Sequence, residues 1–454
     1  MSQWLYNEAM YRFDEAQPSY WEASGGDQTP EAPPLESEEQ CDVAIIGGGY
    51  TGLSAAYHLC RDYDLDVRVL EAGHLGWGAS GRNGGFCSIG GEALGAEALV
   101  QKYGLDNARA YYSGQVEAIE LVRDLIVHEN INTPCQGQLE VSMAISPKGF
   151  ARLKKHAEFQ FRMLGLDTDL IEKEAFAERF FESPLLCGGA TLRPTFGLHP
   201  LRYLQGLAAA AARRGAKLHA LSEVIDWSKE NGKHVLRTQA GVVRAKRIIV
   251  ATNGFAPEHL HQQLGGRVMP AISAIVVTRP LTADELAAQG WQTDCPSITS
   301  VSLLNYFRLL PDGRFMFGGR GSADGNDKSS AKNFTHLINR LHEVFPAWRD
   351  VEIDYRWHGL VCMTRRMTPA VGHFSDDPSA YFAFGYHGNG VNTSTWSGRE
   401  IADWVGTSDA NGNKAPSTLP LIVHGMPDRI PLAPLRLSFL RGVIGLKRLQ
   451  ERMQ

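Results

Sequence analysis

Between Cys41 and Gly73 the chain reads CDVAIIGGGYTGLSAAYHLCRDYDLDVRVLEAG, and this order of textures constrains the fold more than any other feature. An apolar run, a tight glycine turn, a stretch of helical period and a second β-rich run ending on an acid predict a βαβ unit. Gly47, Gly49 and Gly52 stand in the order G-x-G-x-x-G between the first strand and the helix, and the second strand, Asp66 to Leu70, ends at Glu71. Gly47 permits the tight turn, Gly49 lets backbone approach a pyrophosphate, and Gly52 allows the helix to pack on the strand. The helix start at Tyr50 and Thr51 offers unpaired N–H groups to phosphates. Glu71, followed by Ala72, is placed to accept hydrogen bonds from an adenosine ribose. A glycine-rich turn in an unrelated α/β protein is the competing reading, and it does not account for strand, helix and terminal acid together.

Composition narrows the class by exclusion. With 45 basic against 50 acidic residues the chain carries −5, which argues against an electrostatic grip on nucleic acid. Seven cysteines (41, 60, 87, 135, 187, 295 and 362) are scattered, with no C-x-x-C pair and no metal-like Cys/His spacing, so a reduced, cytoplasmic setting without a metal is expected. No apolar run approaches the 18 residues of a membrane helix. Residues 1–40 hold nine acids and one base, which suggests an extended acidic leader. Its Trp4, Tyr6, Tyr11, Tyr20 and Trp21 predict that part of it lies on the main body.

Gly73 to Gly91 contains eight glycines in 19 residues, a density expected where backbone presses against something flat or charged. Gly78, Ala79, Ser80, Arg82, Asn83, Gly84 and Gly85 are its candidate binding residues; a mobile surface loop is the bland alternative. Helical patterning follows near 108–128 and 148–164, then an alanine-rich helix stopped by Gly215, short strands through Val224, and a strand-end turn at Ala251, Asn253 and Gly254. From 268 to 363 β-rich runs dominate, with a hairpin turn at Pro311-Asp312-Gly313 and a helix near 330–345. Gly388, Asn389, Gly390 and Val391 then open a second glycine-preceded helix. These textures predict an α/β (α+β) chain: a Rossmann-type nucleotide-binding lobe from residues 41–93, 190–265 and 364–410, an antiparallel β-sheet substrate or cap lobe from 94–189 and 266–363, and a tail from 411 to 454. The tail alternates apolar and basic residues from Ile430, which reads as a basic amphipathic helix docked on the body with its basic face in water; peripheral membrane contact is the weaker reading.

Taken in order, VAIIGGGYTGLSAAYHL, VRVLEAG, GWGASGRNGG, ATNG, YFRLLPDGRFMFGG and GYHGNGV resemble the FAD-dependent oxidoreductases of the D-amino-acid oxidase superfamily. The leader PSYWEAS, GASGRNGG and WHGLVCMTRRMTPAVG look most like its gamma-glutamylputrescine oxidoreductase branch. The resemblance implies non-covalent FAD, with Gly47, Gly49, Gly52 and Glu71 on its ADP half, Val224 meeting the adenine, the GASGRNGG loop beside the flavin, and Gly388 to Val391 facing the pyrimidine end. It implies oxidation of a C–N bond in a small-molecule amine by hydride transfer to flavin, with O2 or another electron acceptor closing the cycle. Pocket candidates are Tyr306, Arg308, Trp357 and His358, with sheet core the alternative for the two aromatics and a structural role the stronger reading of the histidine.

Relatives that oxidise amino acids commonly carry G-L-R-P where this chain has Gly359-Leu360-Val361-Cys362, which weakens an α-amino-acid substrate. Arg365 and Arg366 lie nearby. Cys362 is out of register with the cysteine that tethers flavin in some sarcosine-type relatives. Two other readings remain open at this point: an NAD(P)-dependent dehydrogenase built on the first βαβ unit, and a flavin-binding redox sensor without amine oxidase activity.

Overall fold

The computed structural model describes residues 5–26, 29–256, 258–301, 303–322, 324–408 and 419–442. Its first sheet has eight strands and grows from the βαβ unit. Strand Glu38–Ile46 lies between Val67–Leu70 and Val242–Val250, parallel to both. Lys217–His219 extends one edge in parallel and Ala380–Phe384 continues beyond Val242–Val250, also in parallel. Antiparallel strands Lys233–Arg237, Asp226–Glu230 and Ala370–His373 complete it. Val43, Ala44 and Ile45 are wholly buried, as a strand covered on both faces requires.

Helix Tyr50–Tyr63 covers this sheet and is itself covered by helices Pro200–Arg213 and Val391–Thr407. The last contact is close because residue 398 is glycine: a Cβ there would lie 2.4 Å from the Thr51 carbonyl oxygen. Ser54 Oγ donates to the Thr395 carbonyl at 2.6 Å across the same seam. The helix starting at Val391 is therefore fixed against the helix starting at Tyr50, although most of the sequence separates them.

The second sheet also has eight strands. Val268–Pro280 runs antiparallel between Ile353–Thr364 and Arg314–Arg320, and Tyr306–Leu309 forms the expected hairpin with Arg314–Arg320. The sheet is not purely antiparallel, because Ser297–Thr299 pairs in parallel with Glu140–Met143. Gly189–Arg193 belongs here as well, paired with Glu140–Met143 and Asp167–Ile171. The return to the nucleotide-binding sheet expected at 190 thus comes only with helix Pro200–Arg213. An aromatic core of Phe181, Trp291, Phe307, Phe315, Phe345 and Trp348 fills the far face, against helix Asp327–Val344.

The leader is only partly extended. Glu8–Tyr11 forms a 3-10 turn and Tyr20–Ser24 a helix whose first amides are capped by Ser19. Tyr6, Tyr11, Tyr20 and Trp21 are buried, as their number in an acidic segment suggested; Trp4 lies outside the described residues. Trp21 packs with Trp357 and Leu201 and donates its indole N–H to the Asn83 carbonyl at 2.9 Å. At the other terminus residues 436–442 are helical and docked, but the basic face is not simply solvated: Arg436 is buried and pairs with Glu258 at 2.7 Å, and Arg441 pairs with Asp324. The remainder of the expected amphipathic helix, from 443 on, lies outside the described residues. Among the described residues no helix is long and apolar enough to cross a membrane. Trp21→Ala removes a wholly buried ring and its hydrogen bond to the glycine-rich loop. The expected loss is about 3–5 kcal/mol of stability, read by denaturant unfolding of the holoprotein.

Candidate functional site: a dinucleotide cleft

One long cleft runs from the end of the second strand to the helix at Val391. Its reach from one helix N-terminus to the other suits an extended dinucleotide. Its walls come from the turn Gly47–Thr51, the strand end Leu70–Ala72, Gly76 to Ser80 and Asn83 of the glycine-rich loop, Glu223 and Val224, Ala251 to Asn253, Leu360 to Cys362, and Tyr386 to Gly388 with Gly390; Arg82, also singled out from sequence, does not line it.

Local sequence explains the shape. Gly47 takes φ +107°, and a Cβ on Gly52 would sit 2.0 Å from the Gly47 carbonyl, so helix and turn interlock only without side chains. The Glu71 carboxylate fastens the turn to the second strand, accepting from the Gly48 amide at 2.7 Å and the Gly73 amide at 3.0 Å. Burial raises its pKa, and these amide bonds oppose the rise. A carboxylate has about four acceptor positions, so two remain for ribose hydroxyls. Ser80 Oγ accepts the Tyr50 amide at 3.1 Å, tying the glycine-rich loop to the same turn. The far end is tied too: Thr51 and Tyr386 share a hydroxyl hydrogen bond at 2.6 Å, and Asn253 Oδ1 accepts the Gly385 amide at 2.9 Å. Two helix N-termini, at Tyr50 and Val391, face one cavity and supply partial positive charge without basic side chains.

Of the residues singled out from sequence, Gly47, Gly49, Tyr50, Thr51, Glu71, Ala72, Gly78, Ala79, Ser80, Asn83, Val224, Ala251, Asn253, Gly388 and Gly390 line the cleft. The others stand behind it. Gly52 lies under the turn, Gly254 packs on Leu360 and Cys362, and Asn389 Nδ2 donates to the Ser88 carbonyl at 2.6 Å. Val391 is core. Gly84 and Gly85 brace the loop, the Gly85 amide bonding Asn83 Oδ1 at 2.8 Å.

Among the pocket candidates, Arg308 is corrected: it is 1% exposed and its guanidinium bonds the Gly84 and Leu198 carbonyls, so it is a strut rather than a free cation. Trp357 is sheet core and donates to the Arg82 carbonyl at 2.8 Å. His358 pairs across the ladder with Ala274 and therefore points to the face opposite Trp357; burial pulls its ring down to about 4, leaving it neutral. Tyr306 is half-buried beside Gly84, with its hydroxyl 2.9 Å from Ser273 Oγ, and does not itself line the cleft. Sequence reasoning missed Phe13, Trp77, Phe255, Tyr386 and His387 as lining residues. Tyr386 and His387 sit inside the quoted GYHGNG segment and could have been found; nothing in the leader marks Phe13.

A strand-turn-helix phosphate site, an acid at the next strand end and a second helix N-terminus on one cleft define a dinucleotide-dependent enzyme of the FAD-binding class. The family model of FAD dependent oxidoreductases, DAO, matches residues 42–404, and the chain belongs to that family. It is 32% identical over 409 residues to gamma-glutamylputrescine oxidoreductase of Escherichia coli K12, covering 88% of this chain and 92% of that one. In fold it is similar to glycine oxidase from Geobacillus kaustophilus, with TM-score 0.67, 23% identity and coverage of 81% and 95%. L-proline dehydrogenase from P. horikoshii is also similar, with TM-score 0.69, 18% identity and coverage of 89% and 99%.

FAD is the cofactor, and the cleft fits it. Cys362 borders the cleft, yet burial pushes its thiol to about 12, far from a reactive thiolate, in keeping with non-covalent binding. Glu71→Gln removes the charged acceptor from both the ribose position and the turn. The expected result is about 10–100-fold weaker FAD retention, measured by flavin release on dialysis, with the far-ultraviolet circular dichroism of the fold unchanged.

Proposed function

We propose that this chain oxidises the C–N bond of an amine, with a polyamine derivative such as a gamma-glutamylated amine as the leading substrate class and a secondary amine or amino acid as the next. The observation that carries this reading is the likeness to gamma-glutamylputrescine oxidoreductase over nearly the whole chain. In this reading the cleft holds FAD through the residues set out above, and the second sheet presents Tyr306 and Ser273 to the substrate.

FAD, when bound, accepts the hydride from the carbon next to nitrogen, and the imine so formed hydrolyses. The protein's own part is to admit the amine unprotonated and to hold it in line. An enclosed cavity favours the neutral amine by penalising its ammonium form. Tyr306 does not act as the base: burial pushes its hydroxyl up to about 12, so it stays a hydrogen-bond donor across the working range. His358, neutral and turned to the other face, is not placed to act as one either. A cytoplasmic location accompanies the proposal, since the free thiols of the described residues suit a reducing compartment.

The rate of anaerobic flavin bleaching by an amine is expected to rise with pH along one limb set by deprotonation of the bound amine, below the ~10.4 of a free alkylammonium. Tyr306→Phe is expected to lower the rate without moving that limb. A limb that disappears in Tyr306→Phe, or a panel of gamma-glutamylated amines, N-methyl amino acids and D-amino acids that leaves the flavin oxidised, counts against the proposal.

A further inference from the structure

The C-terminal segment docks with apolar side chains facing outward. Residues 433–435 form a 3-10 turn and 436–442 a helix. Leu435 and Phe439, four residues apart, lie on one face of it, with Leu432 at its entry. Leu432, Leu435 and Phe439 are 75%, 58% and 64% exposed. The body is met from the other side: Leu437 packs with Tyr6, Met10 and Ile272, Leu440 and Ala271 border one small cavity, and Arg436 is buried against Glu258. A terminal helix that served only to dock would turn its apolar side chains inward and its charges to water. Here a buried arginine faces in and three large apolar side chains face out, and none of the docking contacts just named involves them.

Charge and size say what covers this face. From Ile430 to Gln454 the chain has five basic residues and one acid, Glu451, a net +4; the whole chain carries −5, so the rest carries −9. The sequence repeats the apolar spacing after Phe439, with Val443, Leu446 and Met453 four, seven and fourteen residues on and Lys447, Arg448 and Arg452 among them. Apolar residues at helical spacing, flanked by lysine and arginine, match the surface of an anionic bilayer, where acyl chains take the first and headgroups the second. A second protein surface is a poorer match. Three side chains fall far short of the about 20–30 residues and ~800 Å² that each partner of a stable complex contributes.

We propose that the C-terminal segment attaches this protein to the surface of an anionic phospholipid bilayer, with Leu432, Leu435 and Phe439 inserted and Lys447, Arg448 and Arg452 over the headgroups. The attachment is peripheral: among the described residues no helix is long and apolar enough to cross a membrane. It does not depend on which substrate the cleft oxidises. Leu437 and Arg436 hold the start of the helix on the body, so the body and its cleft are carried to the bilayer with it.

The test sediments FAD-loaded full-length protein with vesicles of phosphatidylcholine mixed with phosphatidylglycerol, with vesicles of phosphatidylcholine alone, and without vesicles. Wild type is expected to pellet with the mixed vesicles, to bind phosphatidylcholine alone about 10-fold more weakly, and to be released by high salt. The double variant Leu435→Ser with Phe439→Ser is expected to lower partitioning about 100-fold or more, the scale for two large apolar side chains. Its flavin absorbance and far-ultraviolet circular dichroism are expected to stay unchanged, because both residues are exposed. Lys447→Gln with Arg448→Gln is expected to weaken binding to the mixed vesicles about 10-fold and to leave binding to phosphatidylcholine as it was. Wild type that stays in solution beside the mixed vesicles overturns the proposal. So does pelleting that the Leu435→Ser and Phe439→Ser variant retains, since the contact then lies elsewhere on the protein. Light scattering without vesicles reads the competing occupant: a dimer that this variant splits makes the face an interface between copies, and the proposal fails.

Discussion

The close packing of helix Val391–Thr407 on helix Tyr50–Tyr63 is the constraint on which the rest of the site depends. Gly398 lets one backbone approach the Thr51 carbonyl of the other, and the Thr51–Tyr386 hydroxyl contact ties the first turn of one to the glycine-rich segment that leads into the other. Two helix dipoles are thereby aimed at one cavity from chain segments that enter the fold at its two ends. Neither terminus binds much alone, since each contributes only a partial charge within its first turn. Together they can hold a molecule long enough to reach from one to the other, which a mononucleotide is not.

The glycine-rich loop between those ends presents the opposite problem. Its glycines let backbone lie close to a flat ligand, but such a segment loses much conformational entropy on becoming ordered. The structure offsets this with side chains from elsewhere. Trp21 of the leader bonds the Asn83 carbonyl, Trp357 bonds the Arg82 carbonyl, and Arg308 bonds the Gly84 carbonyl, so three consecutive peptide units are each fixed by a buried donor from a different element. The acidic leader is therefore part of the site's architecture even though, among its described residues, only Phe13 reaches the cleft.

The parts legible in the sequence are those where local chemistry and global role coincide. The βαβ unit, the Pro311-Asp312-Gly313 hairpin and the helix start at Val391 were each marked by residues that only one backbone shape uses well. What could not be read was set by strand register and by long-range packing. Arg308 and His358 lie in strands next to the site, but which face each shows depends on pairing with Met316 and Ala274, and a one-residue change of register would exchange them. Gly189–Arg193 looked like the start of the nucleotide-binding return because its β texture is the same in either sheet; only its partners assign it. Glu71 was legible as a residue and incompletely legible as a function, because its bonds to Gly48 and Gly73 arise from a turn geometry that sequence spacing does not specify.

Burial then decides the electrostatics. It raises Tyr306, Tyr386 and Cys362 and lowers His387 to about 4, so these groups on or beside the cleft are neutral across the physiological range. Neutral side chains leave the field there to backbone dipoles and to the carboxyls of Glu71, held by the turn, and Glu223. In the proposed oxidation the two tasks are thereby separated: backbone dipoles place the cofactor's charge, and enclosure favours the unprotonated form of the amine.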